Sequence, residues 1–83
     1  MDSGKSSKEV VERLIRNLNA YCEYMSDKMD GITKATEDLG NWWKDAQYAQ
    51  VESLMTDLCN QMRKDIQVLR DASDGLQEKV NMY

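Results

Sequence analysis

The sequence contains no histidine, no proline and no phenylalanine. Without histidine the commonest general base is missing, together with the Ser-His and Cys-His nucleophile pairs and the usual zinc ligand. The Glu-x-x-His pairs with which helical bundles hold two metals are excluded for the same reason. Without proline nothing forces a break in a long helix, whose interior a proline destabilises by about 3 kcal/mol. The only cysteines, Cys22 and Cys59, lack Cys-x-x-Cys spacing, and two thiolates alone cannot close a tetrahedral metal site. No catalytic residue, cofactor site or metal ligand emerges, so the chain is expected to be no enzyme and to need no cofactor.

Long apolar runs and basic runs are also missing. No stretch approaches the roughly 20 apolar residues that cross a bilayer, so no membrane insertion is expected. Acidic residues number 15 against 11 basic ones, for a net charge of −4, with both signs interspersed. That pattern is a solvated surface and argues against nucleic acid as partner. Residues 1–6 form a polar lead, expected to be disordered, without the apolar segment of a secretory signal peptide. Gly4-Lys5-Ser6 echoes the end of a phosphate-binding loop and is read as a chance match.

What the chain does have is a seven-residue apolar period, interrupted once. Val11, Leu18, Met25, Ile32 and Leu39 recur before the interruption, and Tyr48, Met55, Met62, Leu69 and Leu76 after it, with Tyr83 in phase at the end. Such a period lines one seam of an α-helix. The interruption, Gly40-Asn41-Trp42-Trp43, holds both tryptophans. The fold class is therefore all-α: one domain over 1–83, an antiparallel two-helix hairpin with helix 1 at about 7–39, a turn at about 40–42 and helix 2 at about 42–82. Ser6 with Glu9 has the spacing of a capping box, Gly40 suits a helix-ending position at positive φ, and Asn41 is a favoured N-cap. Gly31 lies inside helix 1, either as a tolerated weak point or as the place where another backbone comes close.

With Val11 and Tyr48 as heptad position a, further apolar residues fall at d (Leu14, Tyr21, Val51, Leu58) and at e (Ile15, Cys22, Met29, Cys59, Ile66, Val80). A three-in-seven face suits a bundle, and in a lone hairpin the third row, e, would stay in water. Dimerisation into a four-helix bundle is the expected remedy, as a homodimer or a heterodimer. Lys28 and Asp65 are charges at d. Each is read as an edge position reaching water or as paired across the bundle (Asp65 with a lysine), with a buried register-setting role as the alternative. Folding about residues 42–43 sets Lys28 opposite 56–58, so the two are not expected to pair within one hairpin. Folding about residues 42–43 places position 22 near 62 or 63, so a disulfide between Cys22 and Cys59 is conceivable, against two reduced core thiols. One indole of the pair can cover the end of the bundle while the other is exposed for recognition.

The segment Leu39-Gly40-Asn41-Trp42-Trp43-Lys44-Asp45-Ala46-Gln47-Tyr48, set between two long amphipathic helices, resembles the turn of the WXG superfamily, the small helical-hairpin proteins of type VII (ESX-type) secretion. Trp43-Lys44-Asp45 looks like a Trp-x-Asp variant of that turn, with Asp45 where the family has glycine. The resemblance implies a non-enzymatic bacterial protein, secreted by the type VII route or acting as a secretion partner. It would pair as a homodimer or heterodimer with a similar hairpin or with the helical region of a larger secreted protein. The family's export signal, Tyr-x-x-x-Asp/Glu, lies after helix 2. Here Tyr48 and Glu52 fit its letters at the start of helix 2, a match the composition supplies about once by chance. The alternative is a cytoplasmic helical adaptor or targeting chaperone for a larger secreted, toxin-like protein.

Overall fold

A computed structural model describes residues 3–82, with side chains from Ser7 onward. Met1, Asp2 and Tyr83, including the last step of the apolar period, lie outside the described residues. Two helices, α1 (Ser3–Gly40) and α2 (Ala46–Asn81), pack against each other along their length. The result is a helical hairpin of 64 × 15 × 14 Å between Cα extremes. α1 starts four residues earlier than the Ser6–Glu9 spacing predicts, so that capping box does not mark its beginning, and residues 3–6 of the expected disordered lead are helical.

The turn differs from its sequence reading in a way that moves everything after it. α1 runs through Gly40, and its last carbonyls are met by the turn: Asn41 N–H donates to Asp38 O (3.1 Å), and Trp42 and Trp43 N–H both donate to Leu39 O (3.0 Å each). No described glycine has positive φ, so Gly40 does not end the helix by conformational freedom. Its role is proximity: a Cβ there would fall 2.5 Å from Tyr48 Oη and 2.8 Å from Cζ. The N-cap of α2 is Asp45, not Asn41. Asp45 is extended (φ −118°, ψ −176°), and its Oδ1 accepts from Gln47 N–H at 2.9 Å and Tyr48 N–H at 3.0 Å. A carboxylate satisfying the two free amides of the first turn outcompetes an asparagine four residues upstream, so α2 begins at Ala46 rather than near residue 42. Gly31 has open space around it, with no backbone approaching.

Shifting the start of α2 shifts the register. Cys22 Sγ lies 3.9 Å from Ile66 O and Cys59 Sγ lies 3.9 Å from Met29 O. Facing residues are thus 22 with 66 and 29 with 59, a fold about Lys44 rather than about residues 42–43.

The core is a thin seam. Ile15 and Cys22 of α1 meet Cys59, Met62, Ile66 and Val80 of α2, all buried, with Cys22 fully enclosed. All of these except Met62 occupy position e, the row expected to remain in water. The a row flanks them, half-buried at Val11, Leu18, Met25 and Ile32 and at Tyr48, Met55, Leu69 and Leu76. Leu39, expected in the interface, is 38% exposed at the end of α1. The row left out, apart from half-buried Val51 near the turn, is d. The reason is the e row itself: Cys22, Cys59 and Ser73 are compact there, and small side chains let the two backbones approach along a and e. Ser73, polar and buried, enters the seam by donating its hydroxyl to Asn19 Oδ1 across the helices at 2.9 Å. Among the described residues no buried side-chain polar atom lacks a partner.

Candidate interaction surface

The tip of the hairpin separates the two indoles. Trp42 is 90% exposed. Trp43 is half-buried and tilts against Tyr48, with ring centroids 6.4 Å apart and planes at 58°, an arrangement the aromatic quadrupole favours. Adjacent residues cannot share one slot, and here Trp43 is the one that turns inward, onto Tyr48. The Asp45 carboxyl is held below the ordinary value of 3.8, foremost by the Trp43 side chain and then by the Tyr48 amide, opposed by burial and helped least by the Gln47 amide. The same carboxylate caps α2.

Tyr48 anchors the same corner from the other helix. Its hydroxyl lies 3.0 Å from both the Thr36 carbonyl of α1 and Glu52 Oε2, and its single proton is shared between or alternates over the two acceptors. Desolvation, then the hydrogen bond to Glu52, pushes the phenol above its ordinary value of 10.0. Tyr48 and Glu52, the letters of an export motif, are therefore tied to each other one helical turn apart and to the end of α1.

The second feature is an apolar flank. Leu14, Tyr21 and Leu58 of row d are exposed, at 46%, 49% and 43%, as are Val10, Tyr24, Leu54 and Val68 of the adjacent row g. Because the helices run in opposite directions, the row preceding the seam on each turns to the same side of the hairpin. These residues therefore share one broad face, unpartnered in the hairpin. Lys28 and Asp65 interrupt it near its middle. Lys28 Nζ sits 5.3 Å from the centroid of the Tyr24 ring, and Asp65 accepts from Gln61 Nε2 at 3.1 Å. Both are exposed, as the edge reading holds.

The opposite side carries an open groove of about 280 Å³ lined by Thr33, Thr36, Glu37, Glu52, Cys59 and Arg63 among others. Cys59 Sγ donates to the Met29 carbonyl at 3.9 Å and has the Thr33 hydroxyl at 3.7 Å. Both cysteines are free. The conceivable Cys22–Cys59 disulfide does not form, because the register about Lys44 places Cys59 seven residues, about 10 Å along the axis, from the residue facing Cys22, beyond the roughly 7 Å that a disulfide spans between Cα atoms.

Among the described residues no cluster of three or more His, Cys, Asp or Glu side chains could hold a metal, and no helix is long and apolar enough to cross a membrane. No protein-family model, curated protein or solved structure matches the chain.

Proposed function

We propose that this hairpin is a non-enzymatic docking protein that works by pairing its helices with another helical protein, as a WXG-like substrate or partner of type VII secretion. The observation that carries the reading is the pairing of one fully presented indole, Trp42, at the tip of a long rod with an apolar flank that nothing in the hairpin covers. An exposed tryptophan and a contiguous apolar face are features of recognition surfaces. The Trp-x-Asp turn, with Asp45 as cap and Trp43 folded back, supplies the resemblance to that family. Association of the flank with a second pair of helices gives a four-helix bundle. Expression of the tagged chain in a bacterium with an intact type VII machine, and in one lacking its membrane ATPase, tests the assignment. Export, or export of a co-purifying partner, is expected only with the intact machine; equal export from both strains overturns it.

The exposed flank also supports a second reading, a cytoplasmic adaptor or targeting chaperone that covers the helical part of a larger secreted protein. Retention of the hairpin in the cell while its partner leaves through the machine favours that reading.

A further inference from the structure

Sulfur is concentrated in one stretch of the seam. In the register that pairs 22 with 66 and 29 with 59, the a and e positions level with residues 55–63 of α2 are Met25, Met29 and Ile32 of α1 and Met55, Cys59 and Met62 of α2. Five of these six carry sulfur, whereas the same two rows hold only one further sulfur, Cys22, anywhere else between Lys8 and Val80. Cys59 sits at the centre of the stretch. Met55 lies four residues before it and Met62 three after it, the spacings that bring side chains together on one helix face. Met29 faces it from α1, with its carbonyl 3.9 Å from Cys59 Sγ. Cys59 and Met62 are buried, and Met29 and Met55 are half-buried.

We propose that this stretch binds Cu(I), held by the Cys59 thiolate and the thioethers of Met29, Met55 and Met62. Thiolate and thioether sulfurs are soft donors that select Cu(I), whereas hard ions take oxygen ligands. Zinc requires a closed tetrahedral set of nitrogen, oxygen or thiolate ligands, which one thiolate among thioethers does not supply. Charge points the same way. On binding, the Cys59 thiol gives its proton to water and the sulfur bonds the metal, so one negative and one positive charge cancel within the seam. A divalent ion on the same donors leaves a net positive charge where little water reaches it, which is costly. The Met29 carbonyl that loses the thiol proton keeps the Thr33 hydroxyl, which donates to it at 3.0 Å.

The way in is the open groove of about 280 Å³, whose lining includes Met55 and Cys59 themselves. Glu37 and Glu52 on that lining attract a cation, with Arg63 as the one opposing charge. Cys22 is the built-in control. It is fully enclosed, faces Ile66 instead of a methionine, and does not line the groove.

Anaerobic titration of the full, reduced chain with acetonitrile-stabilised Cu(I), against a chromophoric Cu(I) chelator, measures the site. One ion per chain is expected to be withheld from the chelator, with a rise in melting temperature that Zn(II) does not reproduce. The copper X-ray absorption spectrum of that complex shows several sulfur neighbours. Cys59→Ser abolishes competition with the chelator, and Cys22→Ser leaves it within about twofold. Leucine closely matches methionine in volume, so Met29→Leu, Met55→Leu and Met62→Leu keep their helicity by circular dichroism. The triple leucine variant weakens binding about tenfold or more, and its copper loses the thioether neighbours. Complete loss of the metal to the chelator overturns the proposal, as does a single sulfur neighbour in the native complex. An affinity unchanged in the triple variant, an affinity that follows Cys22 instead of Cys59, or an equal melting shift with Zn(II) overturns it too.

Discussion

Truncating one seam residue and one flank residue of similar size separates what holds the hairpin together from what it offers to a partner. Ile66 is 8% exposed and faces Cys22 in the seam, whereas Leu58 keeps 43% of its surface in water. Ile66→Ala removes buried methyl groups and leaves a cavity that two helices cannot close, a loss of about 2–5 kcal/mol. A chain of 83 residues has a total stability on the order of 4–12 kcal/mol, so that single change consumes a large share of it. Leu58→Ala costs the monomer about 1 kcal/mol or less, because much of the side chain is already solvated. Urea denaturation followed by circular dichroism, at concentrations where light scattering shows the monomer, is the assay. At higher concentration the Leu58→Ala deficit grows, because association stabilises only the chain that can make it. Equal losses for the two variants in the monomer would mean that the a/e seam is misplaced.

The two tryptophans are expected to part in the same assay. Trp42→Ala leaves monomer stability unchanged but weakens partner binding or export, whereas Trp43→Ala lowers the melting temperature through loss of its contact with Tyr48. Asp45 gives the acid limb of stability: its folded pKa is depressed, so its contribution is complete well above pH 3.8 and is lost as pH falls through the lower folded value. In pH-dependent melts Asp45→Asn flattens that limb. Tyr48 acts oppositely, its contribution present below pH 10.0 and lost as pH rises through its raised folded value, and Tyr48→Phe removes that alkaline limb. The native chain runs identically on reducing and non-reducing gels as a monomer band, and its two buried thiols react with Ellman's reagent only as fast as the hairpin opens. Gly40→Ala gains about 1 kcal/mol of helix propensity but drives Tyr48 from its place; restoration of stability by a second change, Tyr48→Ala, identifies that collision.

Two helices and one corner were legible because the apolar period and the absence of proline both act at long range in sequence. The detail of the corner was not. Asn41 and Asp45 are both good caps, and only the competition between them sets where α2 starts. Four residues of difference there moved the fold axis to Lys44 and with it the facing pairs, which is why Cys59 meets Met29 and not Cys22. The choice of seam was equally underdetermined. Rows d and e both carry apolar residues, and hydrophobicity alone does not rank Leu14 against Ile15 or Leu58 against Cys59. The signal that could have ranked them is charge along the middle of each row: e carries none from Ile15 to Thr36 or from Cys59 to Val80, whereas d carries Lys28, Asp65 and Lys79 over the same stretches. Ser73, the polar member of that stretch of row e, is a cross-helix hydrogen-bond donor. The split between the tryptophans depends on how the turn sets Trp43 against Tyr48, a matter of turn geometry.

A seam of this kind has a consequence for how the hairpin can work. Two of its six buried apolar side chains are cysteines, each of which buries little surface beside an isoleucine or methionine, and a rod only 14–15 Å across has no third layer to add more. Large apolar side chains are present, but Leu14, Tyr21, Leu54, Leu58 and Val68 stand on the flank. Burial at roughly 25 cal/mol per Å² of apolar surface therefore has its largest remaining reserve outside the hairpin, on the face that a partner would cover. Small residues inside bring the helices close enough to align that face as one surface; bulky residues outside make covering it favourable; Lys28 and Asp65 within it penalise any partner that offers no opposite charge at the matching level. On the proposed docking role, folding and recognition are coupled: larger side chains in the seam would push the helices apart, split the flank into two narrower strips and weaken binding even as the lone hairpin gained stability.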